Sequence, residues 1–174
     1  RASREYPFAH TQQTAPLRPI APPKQRYVIV DGYNIIFAWD ELRALAREDL
    51  DAARQRLMDL LSDYATLRGC RLVLVFDGYK VKGNRGTQSD YHGIEVVYTR
   101  EDETGDLFIE KLLTEVRRSY AVRVATSDEL IQLAALRAGV LRMSARELEE
   151  EVQRAQVDIA DAVRRWNESE QKRR

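Results

Sequence analysis

The sequence holds one cysteine, Cys70, among 174 residues, so no internal disulfide can form, and a reducing compartment suits the lone thiol. Its two histidines, His10 and His92, are too few and too poorly placed to build a Ser-His-Asp triad, which sets serine hydrolysis aside. Net charge is absent as well: 28 Lys and Arg balance 28 Asp and Glu, so any pull toward a polyanion must come from local patches. No run is apolar enough to span a bilayer and the amino end has no signal-peptide core, so the expected location is the cytoplasm, with no membrane partner. Phosphate-cradling glycine loops are missing too. There is no GxxxxGK[ST], and "GNRGTQ" at 83–88 neither follows the first strand nor fits GxGxxG, which excludes the common nucleotide-cofactor sites.

What is present is a chain with 44% apolar residues, enough at this length for one domain with a full core. Residues 1–26 stand apart. Pro16, Pro19, Pro22 and Pro23 crowd their second half and no apolar period runs through them, so they are expected to form a linker or leader, with room for a fused upstream domain. The domain itself is expected over 27–166, and 167–174, "NESEQKRR" with its flanking Trp166 removed, over a charged tail that frays.

Within the domain, β-branched runs alternate with segments of helical period, the pattern of an α/β fold whose parallel sheet is covered on both faces. Strands are predicted at 27–30, 71–76, 94–99, 121–126 and 140–143, giving a sheet of about five strands. Helices are predicted from the spacing of Leu50, Ala53, Leu57, Leu60, Leu61, Tyr64 and Ala65, from a Thr104 cap onward, and from a Ser127 cap to Gly139. A last helix starts at the Ser144/Glu147 capping box and carries Leu148, Val152, Ile159, Val163 and Trp166 as its apolar stripe.

In such a sheet, ligands bind beyond the carboxyl ends of the strands. Asp31 follows the first strand and Asp77 the second, while Asp106 and Asp128 open the helices after the third and fourth. Each has an ordinary explanation: Asp31-Gly32 and Asp77-Gly78 are turn pairs, and Asp106 and Asp128 suit the positive first turn of a helix. Four acids on one rim are harder to explain that way, because clustered carboxylates raise one another's pKa unless a cation neutralises them. A hard cation, Mg²⁺ or Mn²⁺, would do so and would bring the chemistry of phosphodiester hydrolysis. Asn34, one helical turn past Asp31, either orients a ligand or caps the next segment. Glu110, one turn past Asp106, is either a further metal ligand or an exposed partner for Lys111.

The stretches "IVDGYNII", "VFDGYKVKG", "TREDETGDLFIEKL", "VATSDELIQ" and "LRMSARELEEEV" together resemble the NYN branch of the PIN-like ribonucleases, most closely the YacP-type bacterial endoribonucleases. The likeness runs from Tyr27 to Val152, with a motif at every strand end. It implies a three-layer α/β/α PIN-like domain that cleaves RNA with a divalent metal. Asp31, Asp106 and Asp128 match the acidic core, and Asn34 and Asp77 match supporting positions. It also implies messenger RNA as substrate and the ribosome as the place of work.

The loop from Gly78 to Gly93 adds Tyr79, Lys80, Lys82, Arg85 and His92 beside Asp77. Its cations suit phosphates and its aromatic rings suit bases, so it is expected to hold RNA, although its composition also fits a solvated connection. A haloacid-type phosphatase would need a second acid two residues after Asp31, where Tyr33 stands. The remaining rival is a catalytically inactive PIN-like module that binds RNA or the ribosome and keeps the acids as caps.

Overall fold

Tyr27–Val30 and Leu72–Phe76 are apolar at successive positions because both faces of the sheet are covered there, and the computed structural model, which describes residues 20–78 and 86–174, sorts them into two cores. Val28, Val30, Leu72, Leu74 and Phe76 face one core, while Tyr27, Ile29, Val73 and Val75 face the other. Among the described residues the sheet has six strands: β1 (Arg26–Asp31), β2 (Arg71–Phe76), β3 (Thr87–Tyr91), β4 (Ile94–Tyr98), β5 (Ala121–Ala125) and β6 (Leu141–Met143). Their order is β3-β4-β2-β1-β5-β6, all parallel except β3, which runs antiparallel to β4.

Against the first core lie α1 (Gly32–Ala38), α2 (Asp40–Glu48), α3 (Leu50–Arg68) and α6 (Ala145–Lys172); α4 (Gly105–Val116) and α5 (Glu129–Ala138) cover the second. This is the expected three-layer α/β/α architecture. Its helix ends obey local chemistry. Thr104 Oγ1 accepts from Leu107 N at 3.2 Å, Ser144 Oγ accepts from Glu147 N at 3.0 Å, and Gly69 closes α3 with a φ of 63°.

Four expectations about the elements change. The sheet gains a sixth strand, β3, within the stretch expected to be a loop. Thr87, Gln88, Ser89 and Asp90 are exposed, so no apolar alternation announces them and only pairing with β4 makes them a strand. The chain also turns helical at once after Asp31, so α1 and α2 precede the helix expected from Leu50 onward. The cap of α5 is Asp128, whose Oδ1 accepts from Leu130 N at 2.8 Å, and not Ser127. Finally, α6 runs to Lys172, and its apolar stripe is buried only in part. Its buried residues Leu148, Val152 and Ala155 lie in its first half, and Val163 and Trp166 are exposed. Most of the proline-rich leader, residues 1–19, lies outside the described residues; 20–25 are exposed and belong to no element.

Neither Asp-Gly pair makes a turn that needs a positive φ. The glycines serve close packing instead. A Cβ on Gly32 would stand 2.5 Å from a Phe76 ring carbon, and one on Gly78 would stand 1.7 Å from the Thr99 carbonyl oxygen. Both positions press the chain against a neighbouring strand, which holds the acid before each glycine tightly at the sheet's rim.

Candidate active site

β1 lies between β2 and β5, so the carboxyl ends of these three strands bring together Asp31, Asp77 and the segment Thr126-Ser127-Asp128. The first turn of α4 comes over the same end. Asp77 Oδ2 accepts from Gly105 N at 3.3 Å and so ties the start of α4 to the end of β2. The result is a cleft of about 480 Å³ lined by Asp31, Asn34, Asp77, Asp106 and Asp128, together with Tyr33, Phe37, Ala38 and Gly105.

Thr126 is fully buried at the centre of the arrangement. Its hydroxyl donates to Asp31 Oδ2 at 2.9 Å and accepts from Asp128 N at 3.0 Å, so one side chain sets the relative position of two acids. Its carbonyl accepts from the Gln132 side chain at 2.9 Å. Beside it, Asn34 Oδ1 accepts from Ser127 N at 2.7 Å. Of the two roles open to Asn34, its amide oxygen thus serves a backbone tie, joining α1 to the loop before α5.

The acids strain against one another electrostatically. Burial pushes the Asp31 carboxyl up to about 6, aided by the charges of Asp106, Asp128 and Asp77 and opposed by the Thr126 hydrogen bond. Asp106 is also raised, chiefly by desolvation and then by Asp128, Asp77 and Glu110. Asp128 is a side-chain N-cap; Asp31 stands at the N-cap position of α1 with no side-chain cap bond, and Asp106 lies in the first turn of α4, which Thr104 caps. The donor set is all oxygen, which suits a hard divalent cation. Among the described residues no three His, Cys, Asp or Glu side chains already close round a single point, so the carboxylates share the cleft without forming a finished cage.

The other sequence candidates fall elsewhere. Glu110 is exposed and adds its charge to Asp106 without lining the cleft; Lys111 pairs with Glu103 at 3.1 Å, so the expected Glu110–Lys111 partnership is not what engages that lysine. His92 lies at the opposite end of the sheet from the acids. It occupies the β3–β4 turn with a φ of 44°, and its carbonyl accepts from the Ser62 hydroxyl at 2.6 Å. The reason is β3 itself, whose antiparallel course carries the chain away from the acidic rim before His92 is reached. Tyr79, Lys80, Lys82 and Arg85 lie outside the described residues.

Sequence reasoning missed Thr126, Tyr33 and Phe37. A hydroxyl directly after an apolar strand was the available sign for Thr126, and a helix beginning at Gly32 would have placed Tyr33 and Phe37 one turn apart on one face.

Comparison with known proteins identifies relatives of the chain and of its fold. A family model of the YacP-like NYN domain matches residues 28–174. YacP of Bacillus subtilis (strain 168), named there as uncharacterized, is 40% identical over 139 residues, which is 79% of this chain and 81% of that protein. The crystal structure of Rae1 (YacP) from Bacillus subtilis is similar with a TM-score of 0.74 at 37% identity, covering 84% of either chain. A second crystal structure, of a tryptophan-to-leucine mutant of that protein, gives a TM-score of 0.72 at 35% identity, covering 83% of this chain and 85% of the other.

Proposed function

The chain belongs to the YacP-like NYN domain family, a branch of the PIN-like nucleases, and on that premise we propose that it is a divalent-metal-dependent endoribonuclease acting on single-stranded RNA. The observation that carries this reading is the meeting of Asp31, Asp77, Asp106 and Asp128 in one cleft. Carboxylates so clustered repel a phosphate unless a cation intervenes. Asp31, Asp106 and Asp128 would hold Mg²⁺ or Mn²⁺. When bound, such an ion supplies acidification of water and neutralisation of the phosphate's charge.

The chain's own residues set the geometry. Thr126 keeps the Asp31 carboxylate turned toward Asp128, Asp77 holds the first turn of α4 so that Asp106 overlooks the cleft, and Asn34 locks α1 against the β5–α5 loop. Messenger RNA at the ribosome is the substrate the family resemblance favours, and the cytoplasm is where that substrate is met. No helix among the described residues is long and apolar enough to cross a membrane. Lys80, Lys82 and Arg85 would add phosphate contacts from the loop after Asp77.

One observation favours the rival binding module: Asp128 is already committed as a cap, and the acids do not stand ready as a closed cage. Cleavage of a generic single-stranded RNA and of ribosome-bound RNA, each with Mn²⁺ and with EDTA, decides between them. Metal-dependent cutting that Asp106→Asn abolishes supports the nuclease. Binding of RNA with no cutting of either substrate under any condition assigns the module.

A further inference from the structure

α1 buries Tyr33, Ile35 and Ile36, yet its Phe37 is 43% exposed and lines the acidic cleft with Ala38. Isolated exposed apolar residues are ordinary on a protein surface, so exposure alone means little. Three further facts distinguish this ring. It stands in the same cleft as the four carboxylates. It stacks on Tyr33, with ring centroids 6.5 Å apart and planes 27° apart. Tyr33 is itself fixed, 7% exposed, tilted against Phe76 at 5.0 Å and bonded through its hydroxyl to Arg54 at 3.0 Å. The Phe37 ring therefore stands beside a buried, hydrogen-bonded aromatic side chain of the same helix, which extends the aromatic wall of the cleft.

We propose that Phe37 is a base-stacking subsite, the position that receives the nucleobase next to the phosphate held over the carboxylates. This rests on reading the cleft as a ribonuclease site and adds a requirement to it: the nucleotide beside the cut must be unstacked from its neighbours and turned onto the α1 wall. Aromatic stacking accepts every base, because each has a π-face, but favours the larger purine surface. A base held in a duplex is already stacked and paired, so this subsite discriminates for single-stranded RNA without reading its sequence. Acids alone could not provide that selection, since the phosphate they address through a cation is the same in both forms.

The test uses the full chain and a short single-stranded RNA. Binding is measured in the cleavage-deficient Asp106→Asn background, with Phe37 intact or changed to Ala, Leu or Trp, and kcat and KM are measured in the otherwise wild-type protein. Phe37→Ala should weaken binding by about 5- to 100-fold, the range of a stacked base removed. It should raise KM more than it lowers kcat, and Phe37→Trp should restore both. Phe37→Leu keeps apolar bulk without a π-face and should behave like Ala. On RNA made abasic at the nucleotide flanking the cut, the Ala and wild-type proteins should converge. Equal binding and equal KM for Phe and Ala overturn the proposal, and so does an equal loss on abasic and normal RNA. If the wild type cuts nothing but Phe37→Ala still weakens binding, the subsite stands and the nuclease reading falls; a melt of each variant identifies any that lost its fold, for which the Trp and Leu pair decides.

Discussion

Replacing Asp31 by Asn tests the acidic cleft without any substrate. In the folded chain the Asp31 carboxyl is raised from 3.8 to about 6, mainly by burial. At 1.36 kcal/mol per pKa unit, ionised Asp31 therefore lowers folding stability by roughly 3 kcal/mol. The sign follows from which state holds the proton. Below pH 3.8 both folded and unfolded chains are protonated and no penalty exists. Between 3.8 and about 6 the folded chain keeps a proton that the unfolded chain has lost, so this group's contribution falls as pH rises. Above about 6 the penalty is complete and constant. Asparagine removes that dependence and still offers an oxygen to the Thr126 hydroxyl, whose bond to Asp31 is 2.9 Å long. Its new N–H₂ must find a neighbouring carboxylate, and an unpartnered buried donor would return about 1–3 kcal/mol of the gain.

The expected result in EDTA is a variant equal to or slightly below the wild type at pH 4 and more stable at pH 8, by up to roughly 3 kcal/mol, or about 6–12 °C in Tm for a domain of this size. Thermal and urea melts across pH 4 to 8 measure it. Saturating Mn²⁺ should then reverse the order, since a ligand at 100 times its Kd stabilises the wild type by about 2.7 kcal/mol and has a poorer site in the variant. A wild-type-to-variant difference that does not change with pH would refute the electrostatic reasoning. So would a variant less stable than the wild type at pH 8.

Asp106→Asn should leave apo stability at pH 8 unchanged or raised, because Thr104 and not Asp106 caps α4, while metal-dependent cleavage is lost; melts beside a cleavage assay check both halves. Thr126→Val removes the hydroxyl that Asp31 and the Asp128 N–H share, so it should cost roughly 1–3 kcal/mol and move the acidic limb of the pH–rate profile upward, with Thr126→Ser restoring both. His92→Asn, at the far end of the sheet and in a left-handed conformation that Asn accepts, should leave RNA affinity and kcat/KM unaltered; a large loss in either would return His92 to the site. Changing Lys80, Lys82 and Arg85 together to Ala should weaken RNA binding across sequences and flatten its dependence on salt, and an unchanged salt slope in a folded variant would dismiss the loop as a phosphate contact.

Much of this protein was decided within short stretches of chain. The runs at 27–30 and 72–76 are apolar at every position and the run at 121–125 is apolar except for Arg123, a pattern suited to strands buried on both faces, and they fall where β1, β2 and β5 are found. Thr104, Ser144 and Gly69 bound their helices by bonds and backbone angles reached within three or four residues. The acids at the strand ends were legible for the same local reason, since a residue that follows a buried parallel strand must emerge at its rim. What tertiary structure decided is everything that depends on a partner distant in the chain. β3 exists only because β4 offers it a ladder, and that pairing carries His92 to the far end of the sheet. Thr126 meets Asp31 across 95 positions of sequence, and Phe37 overlooks the acids only because α1 starts directly at the end of β1, where Gly32 lets the chain press against Phe76. Short-range patterns record burial and backbone angles, whereas which side chains share a cleft depends on strand order, and strand order is settled when the sheet assembles.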